Sequence, residues 1–196
     1  MTPFQASSAP AARPAAIPAA PAQPPWTEVL RDGSRVSIRP IHALDVELER
    51  RFIEGLSPQS RRFRFLESMK SPSDALLKQM TTIDPVTDAA YVALAGTGAE
   101  EREIGVARFS AAPDGNDCEF AVTVSDEWQH RGLGSVLMKR LIETARARGI
   151  ESIHSSDAAD NEAMRKFADH LNYHHKRDPD DAELVRYSVD LKTTIG

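Results

Sequence analysis

The stretch from Glu127 to Gly149, EWQHRGLGSVLMKRLIETARARG, joins two closely spaced glycines to a long amphipathic pattern. Gln129, Gly132 and Gly134 occupy the turn, and helical spacing of apolar residues starts directly after it. The first turn of a helix exposes backbone N–H groups without internal acceptors, and the helix dipole adds partial positive charge there. Glycines let an anion approach the backbone closely, so the pattern predicts a phosphate-binding turn.

Three kinds of phosphate-binding turn compete for this stretch. A P-loop requires GxxxxGK[ST], which the sequence lacks. The dinucleotide fingerprint GxGxxG requires a third glycine, and that place holds Leu137. What remains is QxxGxG, formed by Gln129, Gly132 and Gly134. An ordinary glycine-rich turn stays open as the structural alternative.

Hydrophobic periodicity places this turn inside an α+β pattern. A strand, the long helix and another strand form a crossover, which predicts that the strands at 119–124 and 150–155 are parallel. The strands before it are joined by turn-rich links and predict an antiparallel meander. The predicted strands are 34–40, 89–96, 102–112, 118–125, 150–156 and 184–191. The predicted helices are 45–56, 57–68, 72–83, 133–148 and 160–172.

The composition limits the functions that the chain can have. Its 196 residues carry a formal net charge of -5, which argues against nucleic-acid binding because nucleic-acid binders carry a basic excess. No apolar run approaches the length of a bilayer, so we expect no membrane partner. The single cysteine, Cys118, excludes an intrachain disulfide and favours a reducing cytoplasm. We interpret Cys118 as a small buried strand residue.

The first residues differ in composition from the rest of the chain. Residues 1–27 are rich in alanine and proline, and we expect a disordered tail there. Its prolines interrupt every candidate for the apolar core of a signal peptide. Residues 28–196 then form one domain.

The QxxGxG turn, after an apolar strand and before an amphipathic helix, resembles the acetyl-CoA pyrophosphate loop of the GNAT N-acetyltransferases. SDAADNEAMRKFADHLNY is similar to the family's later asparagine loop and helix, with Asn161 and Phe167 in step and Asn172 and Tyr173 replacing a glycine-phenylalanine turn. LRDGSRVSIRPIHALD and LSPQSRRFRF resemble the catalytic domains of bacterial protein lysine acetyltransferases. The resemblance spans roughly residues 34–191. It implies the GNAT acyl-CoA N-acyltransferase fold, an α+β fold with a mixed antiparallel and parallel sheet flanked by helices.

The resemblance implies transfer of an acetyl group from acetyl-CoA, as co-substrate, to a primary amine, with no metal. An amine attacks only as the free base, and deprotonating a lysine ammonium at pH 7 costs about 4.6 kcal/mol. Glu119 is the candidate base, because similar enzymes have a glutamate at the matching place. Strand alternation puts Glu119, Ala121 and Thr123 on one face, and we expect apolar neighbours to desolvate the carboxylate. A solvent-facing glutamate at the strand end is the alternative.

The resemblance also implies an acetyl-CoA site along the splayed strand and the glycine turn. Backbone groups near Val122 and Val124 would pair with pantetheine, and the turn amides would hold the pyrophosphate with added charge from Arg131. Asn161 would hold the pantetheine arm, although a helix cap explains this asparagine as well. The implied site comprises Val122, Val124, Gln129, His130, Arg131, Gly132, Leu133, Gly134, Ser135 and Asn161.

The acceptor side is less determined. Asp84 lies where similar enzymes have an acid that could orient a lysine ammonium, and a turn-capping aspartate is the alternative. Ala168 stands where many GNAT enzymes have the tyrosine that protonates the leaving thiolate, so the thiolate leaves unassisted or with help from Tyr173 or a water. The preferred acceptor is a protein lysine, for example of an acyl-CoA synthetase. A small-molecule amine acetyltransferase and a non-catalytic acyl-CoA-binding regulatory module are the alternatives, and a homodimer stays open.

Overall fold

The computed structural model describes residues 25–66, 69–111 and 115–192, and these residues form one eight-stranded sheet with five α-helices. The strands are β1 (Trp26–Val29), β2 (Arg35–Pro40), β3 (Asp88–Ala95), β4 (Arg102–Ala111), β5 (Asp117–Val124), β6 (Ser152–Ala158), β7 (His174–Arg177) and β8 (Leu184–Asp190). The helices are α1 (Val46–Gly55), α2 (Pro58–Phe65), α3 (Asp74–Thr81), α4 (Leu133–Ala147) and α5 (Glu162–His170).

The sheet has the strand order β1-β2-β3-β4-β5-β6-β8-β7. β5 and β6 are parallel and are linked by the crossover through α4, whereas the other neighbours are antiparallel. The α+β fold, the meander and the parallel pair that the sequence predicts are therefore confirmed.

Apolar side chains cover both faces of the sheet. One face packs against α4, whose residues Leu133, Leu137 and Leu141 are buried. The other face packs against α1 and α3, with Phe52 and Leu77 buried there. Because side chains alternate along a strand, β5 sends its odd and even residues to different faces. This alternation decides which residues of β5 face the side where α1 and α2 lie.

Local signals in the sequence explain two of the helix ends. The Ser57 hydroxyl accepts a hydrogen bond from the Ser60 N–H at 3.1 Å, so Ser57 caps α2 as its place before Pro58 predicts. Gly149 follows α4 with a φ of 76°, the left-handed conformation that glycine adopts easily. The start of α2 and the end of α4 can therefore be predicted from the local sequence.

Two short strands, β1 and β7, are not predicted from the sequence. β1 includes Trp26 and Thr27, whereas the rest of the predicted tail up to residue 24 lies outside the described residues. The Trp26 ring packs on Tyr91 with ring centroids 5.7 Å apart, which holds β1 to the body of the sheet. β7 pairs with β8, and all its residues are exposed.

Two features are absent from the described segments. None of the helices there combines the length and apolar character that crossing a bilayer requires. No group of three or more His, Cys, Asp and Glu side chains within those segments is arranged to hold a metal ion.

Candidate active site

The parallel strands β5 and β6 pair over only three residues and then separate. The pairing starts at Asp117 and ends at Glu119, which lies opposite His154. β5 continues to Val124 and stays bonded to β4 along this length. Beyond Glu119 the other edge of β5 therefore offers backbone groups to an extended ligand, which would add to the sheet like a strand. The predicted pantetheine contacts Val122 and Val124 lie on this open stretch.

A cavity of about 150 Å³ lies where the strands separate. Its walls come from α2, from β5 beginning at Glu119, from β6 and from Met164 of α5. Phe63 and Phe65 of α2 contribute apolar surface, while Ser155 and Ser156 of β6 contribute hydroxyl groups. The cavity thus brings the predicted base and the predicted ligand edge of β5 into one space.

The predicted phosphate-binding turn lies at the start of α4 and contains two residues with positive φ. Gly132 has a φ of 90° and directly precedes α4, so the first amides of that helix point out of its end. His130 also has positive φ, at 61°. The side chain of Gln129 donates a hydrogen bond to the Val124 carbonyl at 3.2 Å, which ties the turn to the end of β5. Leu133 is buried and begins α4, and Ser135 lies in its first turn.

The second glycine of the turn allows close packing between two helices. A Cβ atom added at Gly134 would lie 3.2 Å from the Phe167 ring of α5, closer than ordinary van der Waals contact. The missing side chain therefore lets α5 approach the start of α4. Gly132 allows the backbone to adopt a positive φ, whereas Gly134 allows α4 and α5 to approach each other closely.

Arg131 already has partners in the structure. Its guanidinium donates to a carboxylate oxygen of Asp32 at 2.8 Å and lies over the Trp128 ring, 4.8 Å from the centroid. Its side chain remains 37% exposed, so the charge stays beside the turn. A contact between Arg131 and a pyrophosphate remains a prediction. In such a complex the Arg131 guanidinium would bind both Asp32 and the pyrophosphate.

Asn161 caps α5. Its side-chain oxygen accepts from the Met164 N–H at 3.1 Å, and its amide nitrogen donates to both carboxylate oxygens of Asp157 at 3.0 and 3.1 Å. Asn161 is buried, and burial raises the pKa of Asp157 despite the hydrogen bonds from Asn161. The capping alternative is therefore present, while the predicted contact with pantetheine stays a prediction.

Glu119 is exposed. The expectation that apolar neighbours would bury its carboxylate is therefore wrong. Glu119 is the last residue of β5 that pairs with β6, and its side chain lines the cavity that opens beyond this pair. Ser110 of β4 and Asp88 of β3 lie in register with it, which places these polar residues on one face. The opening of the sheet leaves Glu119 accessible to an acceptor from solvent.

Asp84 caps a turn. Its carboxylate accepts from the Val86 N–H at 2.8 Å, and its own N–H donates to Asp88 at 3.3 Å. Among the described residues, Asp84 does not contribute to the wall of the cavity. The turn-capping alternative is therefore present, and a role in orienting the acceptor stays a prediction.

α2 is held over the cavity by contacts that the sequence does not reveal. Asp126, in the turn after β5, accepts hydrogen bonds from the Ser57 N–H, the Ser57 hydroxyl and the Ser60 hydroxyl at 2.8 to 2.9 Å. Arg62 forms an ion pair with Asp160, which precedes α5. These contacts connect α2 to the residues that follow β5 and to those that follow β6. No local signal marks Asp126 or Asp160, because their partners are distant in sequence.

A group of buried charges lies under α1 and α2, beside the cavity. The Glu49 carboxylate of α1 is 3.7 Å from the Arg108 guanidinium of β4, and Glu49 is fully buried. Burial and the nearby Glu49 charge hold the pKa of Glu103 well above its usual value. Burial and the Arg108 charge lower the pKa of Arg64, which lines the cavity, to about 10. Several ionisable side chains therefore lie close together beside the cavity.

The position expected to supply a general acid is filled by apolar packing. Ala168 is fully buried in α5. Tyr173, the alternative candidate, packs edge-on against Phe120 with ring centroids 6.0 Å apart, and burial raises the pKa of its phenol. Phe120 lines the cavity, so Tyr173 lies directly behind that wall.

A parallel strand pair that separates beside the start of a helix suits a ligand with an extended arm and a phosphate group. The sequence profile of the Acetyltransferase (GNAT) family matches residues 60–173. The chain therefore belongs to the GNAT family of acetyltransferases. Members use acetyl-CoA as the acetyl donor, and this protein is an acetyl-CoA-dependent N-acetyltransferase.

Relatives support this placement over most of the chain. The chain is 44% identical to acetyltransferase PA5475 of Pseudomonas aeruginosa over 166 residues, which cover 85% of this chain and 89% of that protein. It is 32% identical to acetyltransferase Pat of Mycolicibacterium smegmatis, covering 83% of this chain but only 47% of Pat. The GNAT domain of S. lividans PAT superposes with a TM-score of 0.77 at 28% identity, covering 85% of this chain and 96% of that one.

Proposed function

We propose that the protein transfers the acetyl group of acetyl-CoA to the side-chain amine of a protein lysine, for example of an acyl-CoA synthetase. The observation that carries this proposal is a cavity of about 150 Å³ with the exposed Glu119 on its wall. Pockets that enclose small molecules commonly measure about 300 to 1,000 Å³. A narrow space that opens to solvent suits a slender lysine side chain presented by a larger partner.

The same geometry supports a site for acetyl-CoA. The pantetheine arm would lie along β5 beyond Glu119 and pair with backbone groups near Val122 and Val124. The pyrophosphate would accept hydrogen bonds from the amides between His130 and Ser135, at the start of α4. The Gln129 side chain connects this turn to the Val124 carbonyl at the end of β5. The pantetheine arm would pass the loop that ends at Asn161.

Glu119 would act as the general base. It would take a proton from the lysine ammonium, and the neutral amine would then attack the thioester carbon to form a tetrahedral intermediate. Collapse of this intermediate breaks the carbon–sulfur bond and releases the CoA thiolate, which takes up a proton. Because Ala168 cannot donate one, the proton would come from Glu119 or from water. The attacking nitrogen would lose a second proton from the tetrahedral intermediate, so that each turnover would release one net proton to solvent.

The experiment is an acetyl-transfer assay with a panel of amines. Purified protein and acetyl-CoA would be incubated with acyl-CoA synthetases, polyamines and amino acids, while thiol release and acetylation sites are measured. We expect one or a few lysines of a synthetase to be acetylated. Transfer to polyamines or amino acids alone would favour the small-molecule alternative, and tight binding without turnover would favour a regulatory module.

A variant pair tests the role of Glu119. Glu119→Gln should lower kcat about 10²- to 10⁴-fold, the range typical of general base catalysis, and leave acetyl-CoA affinity unchanged. Glu100→Gln, at an exposed residue in the connection between β3 and β4, is the matched control and should keep full activity. An unchanged rate in Glu119→Gln would remove Glu119 as the base.

A further inference from the structure

A second carboxylate, that of Asp157 on β6, belongs to the wall of the cavity between β5 and β6. Glu119 and its register partner His154 share the face of the sheet on which α1 and α2 lie. Because side chains alternate along β6, Asp157 belongs to the opposite face. Its hydrogen bonds with Asn161, the cap of α5, also place it there. The cavity therefore has one carboxylate from each face of the sheet.

Asp157 reaches the cavity, whereas Asn161 does not. Among the described residues, the cavity wall includes Asp157 but not Asn161, which is buried. The Asn161 side-chain oxygen accepts from the Met164 N–H, and its amide nitrogen donates to both carboxylate oxygens of Asp157 at 3.0 and 3.1 Å. The Asn161 amide thus braces Asp157. A ligand in the cavity would meet the carboxylate before it met the amide.

The Asp157 carboxylate can still accept another hydrogen bond. Its Oδ1 accepts from the Ala158 N–H at 2.7 Å and from Asn161, whereas Oδ2 accepts from Asn161 alone within the described segments. A carboxylate oxygen has two lone pairs, so one remains on Oδ2. Arg62, a cation whose charge acts on Asp157, forms its ion pair with Asp160. Burial raises the pKa of Asp157, so a further N–H donor would stabilise the ionised form.

We propose that Oδ2 of Asp157 accepts a hydrogen bond from an amide N–H of the pantetheine arm, and that Asn161 acts by holding this carboxylate in place. This inference deepens the acetyl-CoA site proposed above and rests on it. The arm contains two amides, and an ionised carboxylate only accepts, so Asp157 would bind an N–H and not a carbonyl oxygen. The arm would thus be held by the backbone of β5 on one side and by a side chain of β6 on the other.

The test compares CoA with 3′-phosphoadenosine 5′-diphosphate, which is the nucleotide of CoA without the pantetheine arm. Calorimetric titration of the full chain measures Kd for both ligands. Asp157→Ala should weaken CoA binding about ten- to a hundredfold, as expected for a hydrogen bond to a charged group, and should leave the Kd of the nucleotide unchanged. Asp157→Asn keeps an acceptor oxygen and should lose less. Asp169→Asn, at an exposed carboxylate of α5 outside the cavity, is the matched control and should bind both ligands normally.

A pair of CoA analogues tests whether the contact is direct. Each analogue has an ester in place of one pantetheine amide, so it keeps the carbonyl and lacks one N–H. For one of the two analogues, the loss of affinity should be smaller in Asp157→Ala than in the wild type, because the variant has already lost the acceptor. The other analogue should lose the same affinity in both proteins.

Each other result would overturn the inference in a different way. Wild-type CoA affinity in Asp157→Ala would remove the contact while the proposed function stands. Equal losses for CoA and the nucleotide would assign Asp157 a structural role at the start of α5. Additive effects of the variant and both analogues would exclude a direct contact with an N–H of the arm. A raised KM for the amine at unchanged CoA affinity would place Asp157 on the acceptor side.

Failure of the proposed function itself has separate signs. Wild-type protein that binds CoA no more tightly than the nucleotide would remove the proposed site for the arm along β5, and this inference with it. Normal binding results without transfer to any amine would overturn the proposed lysine acceptor and leave the Asp157 contact in place.

Discussion

Ser57 donates two hydrogen bonds to Asp126, from its backbone N–H at 2.9 Å and from its hydroxyl at 2.8 Å. The same hydroxyl accepts from the Ser60 N–H, so one side chain both caps α2 and docks it beside the end of β5. Burial alone would raise the pKa of Asp126, but the hydrogen bonds from Ser57 and Ser60 outweigh it and the pKa is lowered. The carboxylate form thus fastens α2 above the cavity.

Ser57→Ala should therefore change both stability and the use of acetyl-CoA. Loss of the cap should lower the free energy of unfolding by about 0.5–2 kcal/mol, and a less firmly docked α2 should raise KM for acetyl-CoA. Ser73→Ala is the matched control, because Ser73 caps α3 through the Leu76 N–H and α3 does not line the cavity. Denaturant unfolding and steady-state kinetics measure the two effects. Equal KM values in both variants would contradict a role for the α2 docking.

Gly132→Ala should weaken acetyl-CoA binding as well as stability. A φ of 90° costs an alanine roughly 1–2 kcal/mol, and relief of this strain would move the first amides of α4. Gly149→Ala places similar strain, at a φ of 76°, at the other end of α4, about 22 Å away. We expect both variants to lose stability and Gly132→Ala alone to lose affinity, measured by calorimetric titration with CoA. Full affinity in Gly132→Ala would remove the turn from the binding site.

Much of the fold is readable from local pattern, whereas the missed strands depend on tertiary contacts. The spacing of Leu133, Leu137 and Leu141 predicts α4, and the crossover rule then makes β5 and β6 parallel. β7 has the sequence HHKR, in which no apolar residue alternates, and it is a strand because β8 offers an edge. β1 is held by the Trp26 ring on Tyr91, a contact that spans much of the chain.

In the candidate site, too, some features follow from local patterns and others depend on tertiary contacts. The QxxGxG turn and the cap at Asn161 are local patterns, so the sequence predicts their places correctly. The exposure of Glu119 and the end of the β5–β6 pairing at this residue are features of the folded sheet, and no local pattern in the sequence specifies them. The pairing of Glu119 with His154 also depends on register across the crossover, which no spacing in the sequence specifies.

Cys118 should be unreactive in the folded protein. It is fully buried, and burial, followed by the charge of Asp117, raises the pKa of its thiol to about 12. Thiolate is the reactive form, so a disulfide reagent at about pH 8 should label the native chain only through transient opening. In concentrated guanidinium chloride the single thiol should react at once. Rapid labelling of the native protein would contradict the burial of this strand.

Glu103 should make stability depend on pH. The raised pKa means that the folded state binds the Glu103 proton more tightly than the unfolded state does. The contribution of Glu103 to stability is therefore greatest below the unfolded value near 4.5 and is lost as pH rises from there through the folded pKa. Once the carboxyl has ionised in both states, the full penalty of the buried charge remains.

Glu103→Gln should accordingly raise the melting temperature at neutral and alkaline pH, because a neutral amide of similar shape replaces a buried carboxyl. Each kcal/mol would appear as about 2–4 °C in a chain of this size. The gain should shrink as pH falls through 4.5, below which the wild-type carboxyl is protonated in both states. Glu100→Gln, at an exposed glutamate nearby, should leave the melting curves unchanged at every pH. Thermal unfolding followed by circular dichroism across this range measures both variants, and a difference that is constant with pH would attribute the effect of Glu103→Gln to packing instead of ionisation.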